Sequence, residues 1–173
     1  MTAAYLLAQN ITFVITDIDG VCTDGNLHLS DHGEVFKSFN SQDGLGIKLL
    51  QKMGIEVGVI TARESNSVIY RMQNLGVKHI YMGYENKCEA YESLLTQLNI
   101  APQQIAYIGD DLPDLPLIIR SGLGICVQNA YALLHEHANW CTKLSGGHGA
   151  VREVCDFILK AQNKWEAAVA SYF

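Results

Sequence analysis

Two pairs of aspartates stand where short apolar runs end. Asp17 and Asp19, in Thr16-Asp17-Ile18-Asp19-Gly20, follow Ile11–Thr16; Asp110 and Asp111 follow Ile105–Gly109, with Asp114 close behind. If those runs are strands of one sheet, four or five carboxylates meet at one rim. Carboxylates that close cannot all stay ionised without compensation, and a hard divalent cation with oxygen ligands supplies it. Magnesium suits an all-oxygen set better than zinc, and no Cys or His stands at ligand spacing. A single strand-end aspartate reads equally well as a turn former or helix cap. Two separate pairs do not.

Other groups suit an anion. Thr61 closes Val59-Ile60-Thr61-Ala62-Arg63 just before a helix, so its hydroxyl and nearby N–H groups can receive a phosphoryl. Lys87 opens a later helix, where a cation opposes the helix dipole, and a carboxylate cluster is a reason to hold it there. Taken singly, a cap residue and a solvated lysine are the plainer readings. Arg63 and Arg71 are eight positions apart, about two helical turns, which places both on one face of one helix. Their planar forks suit a carboxylate, although a solvated face explains two arginines as well.

The elements that must position these residues alternate along the chain. Candidate strands are Ile11–Thr16, Glu56–Thr61, Lys78–Met82, Ile105–Gly109 and Gly124–Val127, with a short sixth near Trp140–Leu144. Candidate helices are Leu45–Met53, Ser65–Leu75, Lys87–Leu98, Pro113–Ser121, Ala130–His137 and Ala150–Gln162, with Gly54 and Gly76 placed as left-handed caps. Near-continuous apolar strands separated by helices predict βαβ units, hence an α/β, doubly wound, Rossmann-like parallel sheet. Such sheets bind ligands at the carboxyl ends of their strands. Asn26–Leu29 and Val35–Phe39, around Ser30-Asp31-His32-Gly33, predict a protruding β-hairpin. Its Leu27, Leu29, Val35, Phe36 and Phe39 are too apolar for a wet flap, so it either folds down over the sheet or pairs with other subunits, association being favoured. The apolar, aromatic tail 163–173 is expected to dock on a neighbour or to fray.

At 173 residues the chain fits one domain over 1–173, with the hairpin as an insertion at 24–40. A net charge of -6 argues against a nucleic-acid partner. No apolar run is long enough to span a bilayer, and no basic segment with a hydrophobic core marks a signal peptide. The five cysteines form no Cys-x-x-Cys pair and read as reduced, mostly buried thiols in a cytoplasmic protein. In His135-Glu136-His137 the two imidazoles fall on different helix faces and read as surface residues.

Taken in order, Asp-x-Asp-Gly, Thr61, Lys87 and Gly-Asp-Asp-x-x-Asp resemble the four motifs of the haloacid dehalogenase superfamily, over almost the whole chain. A response-regulator receiver orders its acids and lysine differently. Asp17 and Thr61 are 44 positions apart, and Thr61 and Lys87 are 26 apart, which leaves no room for a cap domain. Asp19-Gly20-Val21-Cys22-Thr23-Asp24-Gly25, the segment Phe39–Ile47, Gly109-Asp110-Asp111 and Gly146–Cys155 look like the 3-deoxy-D-manno-octulosonate (KDO) 8-phosphate phosphatases of the capless branch. The chain departs from that pattern at Cys22, where leucine is common, and at Ala62, where glycine is common.

The resemblance implies a magnesium-dependent phosphomonoester hydrolase in lipopolysaccharide precursor synthesis. It makes Asp17 the nucleophile, Asp19 the acid/base, and Thr61 and Lys87 the holders of the phosphoryl. Magnesium is held by Asp17, Asp110 and the main-chain carbonyl of Asp19, with Asp111 and Asp114 orienting water or Lys87. It also implies a sugar acid phosphate pocket lined by Asn40, Ser41, Gln42, Asp43, Gly44, Lys48, Arg63, Arg71 and Lys87. A homotetramer closes that pocket, with the hairpin at its centre and a neighbour's tail over the site, approached through flexible Gly146–Gly149. Three readings stay open beside it: a phosphatase for another ulosonic acid 9-phosphate, a non-catalytic assembly module, and a phosphoprotein phosphatase.

Overall fold

Phe13–Thr16 (β1) lies in the middle of a parallel sheet whose other strands are Glu56–Ile60 (β4), His79–Tyr81 (β5), Ile105–Gly109 (β6), Leu123–Cys126 (β7) and Trp140–Cys141 (β8). The computed structural model describes residues 3–173, and of Glu34 and Val35 the backbone alone, so the apolar contribution expected of Val35 lies outside the described side chains. Strand order is β5-β4-β1-β6-β7-β8. The chain therefore winds one way from β1 through β4 and β5, and the other way through β6 to β8. That reversal puts a crevice beside the carboxyl end of β1.

Side-chain alternation explains why β1 and β6 read as unbroken apolar runs. Val14, Ala106 and Ile108 face one core layer; Phe13, Ile15, Ile105 and Tyr107 face the other. Both faces are covered by helices, so every position is buried. The first layer includes Ala3–Ala8 (α1), Ser41–Lys52 (α2), Asn66–Asn74 (α3) and Ala150–Ala161 (α7). The second includes Lys87–Leu98 (α4), Leu115–Arg120 (α5) and Ala132–His137 (α6).

Several expectations change. Helix α2 begins at Ser41, not Leu45, because the Asn40 side chain accepts from the Gln42 and Asp43 amides. Gly44 and Gly46 had diluted the helical pattern there. Arg63 lies in the loop before α3, so Arg63 and Arg71 do not share a helix face. The tail starts as a helix packed on its own chain. Trp165–Val169 (α8) buries Ala168 and Val169, and Lys52 Nζ donates to Ala168 O at 3.1 Å and to Ser171 Oγ at 3.2 Å.

His28–Ser30 (β2) and Gly33–Phe36 (β3) form the hairpin as a separate two-stranded sheet. Leu27, Leu29 and Phe36 are exposed on it. Among the described residues, the intervals flanking Thr61 hold only this hairpin, α2 with β4, and α3 with β5.

Candidate active site

Asp17 leaves β1 on a backbone bond to Ile108 O (3.0 Å), which sets it beside the end of β6. The turn after Asp19 needs Gly20. Its φ is +93°, and a Cβ there would lie 2.0 Å from Asp110 Oδ2. Asp-x-Asp-Gly is therefore tied to Asp110 by contact as well as by order.

Gly146 and Gly147 do not act as a flexible approach to the tail. A Cβ on Gly146 would stand 1.7 Å from Gly20 O, and the Gly147 amide donates to Val21 O at 2.9 Å. The run is packed against the turn that carries Asp19, because only backbone without a side chain fits there.

Carboxylate oxygens of Asp17, Asp110 and Asp114 lie within 4.8 Å of one another. Lys87 Nζ sits among them, 2.9 Å from Asp17 Oδ1 and 2.6 Å from Asp114 Oδ1. One ammonium against three carboxylates leaves buried negative charge uncompensated. Burial, and then Asp114, push the Asp17 carboxyl up to about 7 in spite of Lys87. Burial, Asp17 and Asp114 push Asp110 up to about 8. Burial opposes the charge on Lys87, but Asp17 and Asp114 outweigh it and hold its pKa above the ordinary value. An all-oxygen set with surplus negative charge fits a magnesium ion in its donor chemistry.

Asp114 anchors this corner. Its Oδ1 accepts from Lys87 and from the Tyr107 hydroxyl (2.6 Å); its Oδ2 accepts from the amides of Asp110 (3.0 Å) and Asp111 (3.3 Å). Asp111 is exposed, and its carboxylate caps the following 3-10 turn by accepting from Leu112 N at 2.8 Å. Of these two aspartates, Asp114 is the one that orients Lys87.

Asp19 is gripped from the hairpin side. Lys37 Nζ donates to Asp19 Oδ1 at 2.5 Å, with the lysine side chain only 2% exposed. Asp19 Oδ2 is buried without a hydrogen bond, Arg63 Nε standing off at 3.8 Å. Nothing in the spacing around Lys37 marks it out, since the contact depends on how the hairpin folds back; likewise nothing singles out Tyr107, an apparent core residue of β6.

These groups line one cavity of about 430 Å³: Asp17, Asp19, Thr61, Arg63, Lys87, Asp110, Asp111 and Asp114, with Gly25, Leu27, Ala62 and Pro113 at its walls. Thr61 is buried, and its Oγ1 accepts from Arg63 N at 3.4 Å.

The rest of the expected substrate set lies elsewhere. Arg71 Nη2 donates to Asn40 O at 3.1 Å, and Arg71 packs in a separate small crevice with Asn40, Asp43 and Gly44. Asp43 is buried, its Oδ1 accepting from the Arg152 amide at 2.8 Å at the start of α7. Ser41, Gln42 and Lys48 are exposed on α2, outside the cavity. Within one chain the α2 cap serves as a packing joint, Asn40 O accepting from Arg71 and Asp43 from the start of α7.

Comparison with known proteins agrees with this geometry. A family model described as haloacid dehalogenase-like hydrolase matches residues 80–154. The 3-deoxy-D-manno-octulosonate 8-phosphate phosphatase KdsC of Escherichia coli K12 is 45% identical over 161 residues, 93% of this chain and 86% of that protein. A subfamily III A hydrolase of the same superfamily from Legionella pneumophila superposes with a TM-score of 0.94 at 49% identity, covering 98% of this chain and 93% of its own. The Moraxella catarrhalis 3-deoxy-D-manno-octulosonate 8-phosphate phosphatase, solved with magnesium, phosphate and KDO, superposes with a TM-score of 0.97 at 40% identity, covering 100% and 99%. With that identity across nearly its whole length, the chain belongs to the 3-deoxy-D-manno-octulosonate 8-phosphate phosphatase family of haloacid dehalogenase-like hydrolases.

Proposed function

We propose that this protein hydrolyses 3-deoxy-D-manno-octulosonate 8-phosphate to KDO and inorganic phosphate, as a magnesium-dependent phosphomonoesterase of lipopolysaccharide precursor synthesis. The observation that carries the reading is Lys87 held between Asp17 and Asp114 at the mouth of β1 and β6. The Moraxella relative, bound to magnesium, phosphate and KDO, supports the substrate.

Phosphoryl transfer asks the protein for in-line positioning and charge neutralisation. Asp17 attacks phosphorus and carries the phosphoryl as an aspartyl-phosphate, dividing one difficult step into two. Asp19 gives a proton to the leaving alkoxide and later takes one from the hydrolytic water. Thr61 and Lys87 hold the transferring oxygens. Asp17, Asp110 and the main-chain carbonyl of Asp19 would hold magnesium, which supplies Lewis-acid neutralisation of the phosphate charge. Asp114 orients Lys87, and Arg63 faces the sugar acid.

The assembly is a cytoplasmic homotetramer joined through the hairpin. Exposed Leu27, Leu29 and Phe36 support that interface, and five free thiols support a reducing compartment. Asn40, Ser41, Gln42, Asp43, Gly44, Lys48 and Arg71 border the substrate route from the α2 side, with Ser41, Gln42 and Lys48 reaching it across a subunit boundary.

The test is phosphate release over a panel of sugar acid phosphates, sugar phosphates and aryl phosphates with magnesium present. The highest kcat/KM is expected for 3-deoxy-D-manno-octulosonate 8-phosphate. A higher value for a nine-carbon ulosonate 9-phosphate would displace the substrate while leaving the chemistry. No turnover of any phosphomonoester would overturn both.

A further inference from the structure

The far edge of the sheet carries a second group of ligand-type side chains, chemically unlike the first. Cys126 ends β7 and Cys141 ends β8, and the parallel register pairs them directly. His135 lies on α6 over the same layer. The two sulfurs and one His135 ring nitrogen lie within 4.8 Å of one another, with Cys126 Sγ 3.7 Å from His135 Nδ1.

The imidazole is already oriented. His135 Nε2 is 3.2 Å from Ala130 O, a partner that can only accept. Nε2 is therefore the protonated nitrogen, and the Nδ1 lone pair faces Cys126, accepting from its thiol. Metal-bound histidines are held this way, with the second ring nitrogen donating to a carbonyl or carboxylate. Burial also suits a site with one opening. Cys126 is buried, Cys141 is partly buried, and His135 is exposed, so a cation has a way in past the imidazole.

Dimensions decide whether an ion fits. Tetrahedral zinc, with Zn–S near 2.3 Å and Zn–N near 2.0 Å, needs ligand atoms roughly 3.5–3.8 Å apart. The 3.7 Å sulfur–nitrogen distance already satisfies that, and the other two, at no more than 4.8 Å, need closures of at most about 1.3 Å, within side-chain rotation. One sulfur and one nitrogen type also separate this set from the oxygen-only cluster, so the two discriminate between soft and hard ions.

We propose that Cys126, His135 and Cys141 form a binding site for a thiophilic divalent cation of the zinc class, with water as fourth ligand. Binding forms two metal–sulfur bonds and one metal–nitrogen bond and releases the two thiol protons to solvent, so the filled site is neutral. The ion would fasten α6 to the β7–β8 edge. The Tyr131 amide, just before α6, donates to Asp110 O at 2.8 Å, so this edge adjoins the loop of the acidic cluster.

The experiment uses the full-length protein, stripped of metal, kept reduced, and held in excess magnesium so that the acidic cluster is occupied. Cobalt(II) is titrated in and read by its near-ultraviolet thiolate charge-transfer band and the visible bands of tetrahedral cobalt, then displaced with zinc. One cobalt per chain with both bands is expected. Cys141→Ser and His135→Ala should each weaken binding by at least about tenfold, the loss seen even for outer-shell partners of metal sites. His135 is exposed, so its variant should melt like the parent and keep full phosphatase activity in magnesium. Wild-type protein without a thiolate band would overturn the proposal. So would a band that survives undiminished in both variants.

Discussion

Lys87 Nζ and Asp114 Oδ1 meet at 2.6 Å, closer than Lys87 approaches Asp17 at 2.9 Å. The lysine is thus anchored from behind by a residue that also accepts from Tyr107 and from two backbone amides. A buried ammonium with two fixed partners keeps its charge and its direction. It faces the position where a phosphoryl would sit on Asp17.

Tyr107→Phe removes one of the four donors to Asp114 without changing the packing of the ring. Because the lost bond is buried and goes to a carboxylate, it should cost about 1.5–3 kcal/mol of stability. Chemical denaturation checks this. Turnover should also drop while KM for substrate moves little, since Lys87 loses part of its anchorage. A variant as stable and as fast as the parent would remove Asp114 from its role as anchor.

Asp17→Asn should lower phosphate release by on the order of 10⁴-fold or more, as for loss of a nucleophile acting in concert with its neighbours. The fold should survive, because the substitution removes a carboxyl whose burial is already unfavourable. Phosphate release and a thermal melt of the same sample decide it. Residual activity near the parent's would refute the nucleophile assignment.

Lys37→Ala frees Asp19 Oδ1 from its 2.5 Å partner. An acid that protonates the leaving group matters most for alkoxides, which leave poorly, and least for aryl oxides. The expected result is a kcat loss of at least about tenfold for a sugar phosphate and a small one for 4-nitrophenyl phosphate, with Lys37→Arg restoring part of it. Equal losses on both substrates would make Lys37 a structural residue only.

Stability without magnesium should fall as pH rises. Asp17 and Asp110 sit at about 7 and about 8 in the folded chain against 3.8 for a free aspartate, so between about pH 4 and pH 8 the folded state binds more protons than the unfolded one. Their contribution is present at the acid end of that window and is lost toward its alkaline end. Magnesium replaces those protons, so the Tm increase it causes should be larger near pH 8 than near pH 5. Paired melts with magnesium and with chelator measure it. An increase that shrinks with pH would contradict the shared-carboxylate site.

Asp17, Asp19, Thr61, Lys87, Asp110 and Asp114 were legible in the sequence because each stands at or just beyond the end of an apolar run. A parallel sheet brings such ends together wherever the chain travels in between. The same regularity made β6 and α4 readable to the residue, and the short intervals around Thr61 excluded a cap. Contacts that depend on a fold-back or on lateral register carry no local period. Lys37 reaches Asp19 only because the hairpin bends toward β1, Tyr107 meets Asp114 across a turn, and Arg71 meets Asn40 because Gly44 leaves room for its guanidinium. Cys126, His135 and Cys141, scattered along the sequence, converge only because β7 pairs with β8 in one particular register under α6. Sequence determined which groups the strand ends would offer; tertiary packing decided which side chains hold them, since those distances are set by long-range contacts and not by spacing along the chain.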